Sequence, residues 1–158
     1  MSQNWTWGVD KIYGVNLGGW LNTGRSSRLV IADIPEPFIV PALYEKYANG
    51  ANNQTAIDEY TLSQNMGSNL TAAMTEHYDT FITEQDFSEI AAAGLNWVRI
   101  PLPHWAISTW PEEPFLEGVA WTYFLKAVQW ARKYGLRINL DFHTAPGSQS
   151  ESLSRGKR

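Results

Sequence analysis

Four polar side chains interrupt or close apolar runs in this 158-residue chain: Asn16 in KIYGVNLGGW, Arg99 in NWVRIP, and Asp141 with His143 in LRINLDFH. An arginine set in a strand pattern between Val98 and Ile100 needs an acceptor, because its guanidinium stays charged. Each position also has a plain structural reading: an ion pair for Arg99, a satisfied core histidine for His143. Two such residues at successive strand ends argue together for one shared polar pocket. Eight Trp, seven Tyr and six Phe add a second element. Aromatics are usually core or interface residues, and the alternative here is flat platforms on which sugar rings stack.

The segments that carry these residues are punctuated clearly. KIYGVNLGGW reads as a short strand stopped by paired glycines. DEYTLSQNMG and NLTAAMTEHYDTF read as short helices with Asp58 and Asn69 as N-caps. TEQDFSEIAAAG is a helix capped by Thr83 with Asp86 three residues on; Phe87, Ile90 and Ala91 share a face and Gly94 stops it. LNWVRIPL follows at once as a strand. AWTYFLKAVQWARKYG is a helix whose apolar stripe is expected to be Trp121, Phe124, Leu125 and Val128, closed by Gly135. LRINLDFH is the next strand. Helix, strand, helix, strand with short connections signals βαβ units and a parallel sheet. Three strands and two main helices leave a parallel sheet half covered. The chain therefore reads as α/β, the opening portion of a larger barrel that is incomplete, with residues 1–158 as one part of a single domain. In such barrels the reactive groups gather at the C-terminal strand ends.

The net charge of −4 points to neither a nucleic-acid nor a membrane-surface partner. No cysteine is present, so the redox compartment stays open. No apolar run approaches the ~20 residues that span a bilayer, and MSQNWTWGVDKIYG shows neither the basic nor the apolar region of a signal peptide. Sequons at Asn4, Asn53 and Asn69 permit secretion without demonstrating it.

GVNLGGW, EPFIVPALYE, DEYTLSQ, ITEQDFSEIAAAGLNWVRIPLPHWA and DFHTAPGSQ together resemble the fungal exo-β-1,3-glucanases of glycoside hydrolase family 5 over roughly residues 12–149. The resemblance implies a (β/α)8 barrel, of which this chain holds the first three βα units, and a hydrolase that releases glucose from β-1,3-glucan with retention, outside the cell or at the wall, without cofactor or metal, and as a monomer. Its two catalytic glutamates follow the fourth and seventh strands, ~5 Å apart for a double displacement. By the same resemblance Arg99 holds the nucleophile ionised, since a nearby cation lowers a carboxylate pKa. His143 and Glu36 grip hydroxyls of the terminal glucose, and Trp105, Trp20 and Trp110 are candidates for the aromatic wall, core packing being the alternative for at least one. The substrate-binding set is thus Glu36, Arg99, His143 and Trp105.

Two stretches depart from the pattern: residues 24–35, between GGWLNT and EPFIVP, and residues 150–158 after APGSQ. No residue matches either catalytic glutamate, so this chain is expected to be inactive and poorly stable alone. The alternatives are a non-catalytic glucan-binding fragment and a mis-spliced product. Gly24-Arg25 and Ser150-Glu151-Ser152 are compatible with splice-donor codons. Joining the first base of the Gly24 codon to the last two of the Glu36 codon regenerates glutamate and the run NTEPF. A genuine loop insertion is the competing reading, since added loop length costs little entropy. Genomic DNA downstream of the Gln149 codon is expected to hold a splice acceptor followed by an Asn-Glu-Pro coding stretch; its absence refutes the intron reading.

Overall fold

The computed structural model describes residues 5–24, 41–50 and 54–146. Glu36, the insertion beyond Gly24 and the tail 150–158 lie outside the described residues. Three strands, β1 (Gly14–Asn16), β2 (Trp97–Leu102) and β3 (Arg137–Phe142), form a parallel sheet in chain order. The register aligns Asn16 with Arg99 and Arg99 with Asn139, and two residues on aligns Pro101 with Asp141. The helices are α1 (Pro41–Lys46), α2 (Glu59–Met66), α3 (Leu70–Thr80), α4 (Glu84–Ala92) and α5 (Val119–Tyr134), with short 3-10 turns at Gly67–Asn69 and His104–Ala106.

Strand alternation sorts β2 into two faces. Val98, Ile100 and Leu102 are fully buried on the side packed by α5, while Trp97, Arg99 and Pro101 take the other side. The helix stops and starts follow the expected chemistry. Thr61 N–H donates to Asp58 Oδ1 (2.8 Å) while Asp58 N–H donates to the Thr61 hydroxyl (3.2 Å). Thr83 donates to Asp86 through both its N–H and its hydroxyl. Gly94, at φ +82°, turns the chain from α4 toward β2 in a conformation that glycine adopts without strain. Asn69 is a correction. It makes no side-chain capping bond and keeps helical φ, ψ, because the 3-10 turn carries the backbone straight from α2 into α3.

The apolar stripe of α5 is a second correction. Phe124 is buried as expected and Val128 packs against the core, but the rest of the buried face is Ala120, Tyr123, Ala127 and Ala131, whereas Trp121 and Leu125 are 36% and 46% exposed. Alanines at this contact let the helix axis come close to the sheet, and bulky residues there would hold it off. Across the core, Trp20 stacks on Trp130 and Phe87 meets Trp130 edge-on. The Trp20 indole N–H donates to the Tyr78 carbonyl (3.0 Å), and His77 Nε2 lies within 3.0 Å of the Gly19 and Trp20 carbonyls. Carbonyls only accept, so Nε2 carries the proton. Burial lowers the His77 pKa, which keeps that ring neutral. These bonds pin the loop after β1.

On β3 the residues in register with Ile100 and Leu102 are Leu140 and Phe142, and they are 46% and 54% exposed. Among the described residues no helix follows β3 to cover them.

Close approach of α5 sets one expectation. Ala127→Leu is expected to cost about 1–3 kcal/mol by overpacking, while Leu125→Ala changes stability by less than about 0.5 kcal/mol. Urea denaturation followed by circular dichroism separates the two; equal effects would contradict the alanine-faced contact.

Candidate functional site

Two of the four polar residues converge on the carboxylate of a third, and the fourth is bonded to one of the two. Arg99 Nη2 donates to Asp141 Oδ2 (2.6 Å), and His143 Nδ1 lies 2.7 Å from the same oxygen. Arg99 Nη1 donates to Asn16 Oδ1 (3.1 Å). A carboxylate in an ion pair accepts, so the Nδ1 proton of His143 points at Asp141 and Nε2 is left for another partner. The geometry follows from parallel pairing. Arg99 lies one row below Asp141, and its long side chain climbs that step. Asp141 and His143, two residues apart, share the same side of the chain.

The ladder continues past β3, since His143 N–H donates to the Leu102 carbonyl (2.9 Å). The imidazole is therefore fixed by backbone pairing as well as by Asp141. Side-chain exposures of 39% for Arg99 and 43% for His143 leave both able to touch a ligand. Exposed pairs of this kind contribute about 0–1 kcal/mol to stability. The cluster therefore adds little as a structural staple.

Glu36 lies outside the described residues, so its distance from Arg99 and His143 is not part of this geometry. Trp20 is core. Trp105 is 1% exposed, with one face stacked on Phe115 at 3.8 Å and 7° and the His104 ring against it edge-on. It offers no free face to a sugar in this structure. Trp110 is exposed. His104 sits between Thr144 and Glu113, and its N–H donates to the Thr144 hydroxyl (3.0 Å), tying the loop after β2 to the loop after β3. Among the described residues no cluster of three or more His, Asp or Glu is arranged to hold a metal ion, and no helix is long and apolar enough to cross a membrane.

Sequence reasoning gave Asp141 no role, although its two-residue spacing from His143 at a strand end was the available signal. It also passed over Glu59. This first residue of α2 is 4% exposed. Its Oε2 accepts from Thr23 N–H (2.7 Å) and the Thr23 hydroxyl (2.8 Å), and Oε1 accepts from the Trp105 indole N–H (2.9 Å). Burial pushes the Glu59 carboxyl up to about 7 against the opposing pull of those three bonds, with neighbouring Asp58 adding to the rise. Nothing in sequence distinguishes it from a surface glutamate at a helix start.

A carboxyl whose folded pKa is raised binds its proton more tightly in the folded state, so its contribution to stability falls as pH rises from 4.5 toward 7. Wild type is expected to lose stability relative to Glu59→Gln over this window, by on the order of 3 kcal/mol. Urea titrations at several pH values check this, and a pH-independent difference would contradict it.

No family model matches the chain. It is 40% identical over its full length to glucan 1,3-beta-glucosidase D of Emericella nidulans. It is 44% identical over 95% of its length to a protein named probable glucan 1,3-beta-glucosidase D in Aspergillus niger. It spans only 17% and 16% of those two relatives. Among solved structures, rutinosidase from Aspergillus niger superposes with a TM-score of 0.69 at 28% identity, covering 87% of this chain and 34% of that one. AoRut superposes with a TM-score of 0.70 at 30% identity, covering 93% and 36%. The chain is thus homologous, along nearly its whole length, to one segment of the fungal glucan 1,3-beta-glucosidase D proteins.

Proposed function

We propose that these 158 residues form the glucose-holding side of a retaining exo-β-1,3-glucosidase barrel of glycoside hydrolase family 5. The single observation that carries the reading is the convergence of Arg99 and His143 on Asp141 at the C-terminal ends of adjacent parallel strands. Homology to the glucosidase D proteins supports the substrate class, and the bare apolar side of β3, with Leu140 and Phe142, supports a barrel that continues beyond β3.

In this reading Arg99 uses two of its five N–H groups on Asn16 and Asp141 and has others left for a catalytic carboxylate, which a cation keeps ionised. His143 presents Nε2 to a sugar hydroxyl. Glu36, in the EPF run, supplies the second grip that blocks the cleft at one end. The carboxylates that attack the anomeric carbon and protonate the departing oxygen have no match here, so the chain alone binds without cleaving. The work of such an enzyme belongs outside the cell, on wall glucan.

The test is native electrophoresis through gels containing laminarin, with glucose release measured in parallel. Retardation is expected, weakened about tenfold in affinity by Arg99→Met or His143→Ala through loss of one good hydrogen-bonding group, with no glucose released. Retardation unaffected by both substitutions would sink the site. Glucose release by the chain itself would overturn its division into holding and reacting halves.

A further inference from the structure

The site just described leaves Glu59 unused, although it is among the most deeply buried ionisable groups in the described structure. Three donors meet it, from the loop after β1 and the loop after β2: Thr23 N–H, the Thr23 hydroxyl and the Trp105 indole. No lysine or arginine is paired with it among the described residues. An apolar side chain of the same shape would pack there without the cost of desolvating a charge. What an apolar residue lacks is the ability to receive three hydrogen bonds at once, and an amide or hydroxyl brings a donor that would oppose one of them. The ionised carboxylate accepts all three, and with the group pushed up to about 7 that form prevails only above neutral pH, where the cradle is to be tested.

The two loops it joins are the ones the sugar reading needs. Thr23 precedes the segment that carries Glu36. Trp105 follows β2, two residues beyond Pro103, in the loop whose His104 backbone N–H is anchored on Thr144, the neighbour of His143. We infer that Glu59 is a positioning residue: its buried carboxylate fixes the spacing of the β1 and β2 loops across the rim, and so the width of the hollow that receives a terminal β-linked glucose. This rests on the β-glucan reading and goes beyond it, since Glu59 itself touches no sugar. Asp58 and the buried Tyr78 hydroxyl act electrostatically on or with Glu59, and Tyr44 reaches Thr23 at 3.5 Å; none of them bridges the two loops.

Glu59→Gln is the direct test, because the amide turns one of its two faces from acceptor to donor while keeping the shape. The Trp105 indole N–H resonance, assigned by its absence in Trp105→Phe, reports the tie without any sugar. In Glu59→Gln that resonance is expected to shift and its hydrogen exchange to accelerate at least about tenfold, while laminarin affinity falls by about tenfold. Adding Trp105→Phe to Glu59→Gln is expected to weaken binding no further, since both act through one contact. If Glu59→Gln does not fold, Thr23→Val, which removes only the hydroxyl donor, serves the same test with a loss of about threefold. An unmoved indole resonance, or laminarin affinity unchanged when the resonance does move, would overturn the positioning role alone. Absence of retardation in the wild type would overturn the β-glucan reading and the positioning role with it.

Discussion

A guanidinium set into the middle strand of a parallel sheet constrains everything around it. Arg99 cannot shed its charge, so the neighbouring strands must each bring an acceptor to the same side of the sheet. Asn16 of β1 and Asp141 of β3 do so, at 3.1 and 2.6 Å. Once Asp141 is committed, the proton position on His143 is settled, because a single oxygen serves both groups. One side of β2 lies on α5 and the other presents Arg99 to Asn16 and Asp141, so the same alternation organises core and polar cluster.

Much of this was legible from residue order. The three strands, the capped α4 and the parallel pairing follow from period and punctuation, and Arg99 and His143 stood out because charge and imidazole are costly in apolar runs. What was not legible depended on distances between segments far apart in sequence. The inward face of α5 turned on how near the helix comes to the sheet, a tertiary quantity that selects Ala127 over Leu125. Asn69 looked like a cap because its residue type favours one, yet the chain had no helix start there to cap. Trp105 was visible as an aromatic and not as a buried donor. Glu59 was invisible, since its partners lie 36 and 46 residues away. Glu36, the remaining member of the expected sugar-binding set, belongs to residues the described structure does not include.

The distribution of polar groups divides the molecule by task. Arg99 and His143 keep 39% and 43% of their side-chain surface exposed while both bond to the less exposed Asp141. Glu59, His77 and His104 are buried, and each ties a loop that follows a strand.

One feature of β3 has a wider meaning. Because the backbone ladder extends to the amide of His143, the strand acts as a ruler graduated in steps of about 3.3 Å. A slip by a single graduation would send aspartate and imidazole to the opposite side together, and a slip by two would lift both past the arginine's reach. No small adjustment of alignment moves one without the other, so the heights of the two side chains are set together by the ladder and only their identities are free to differ.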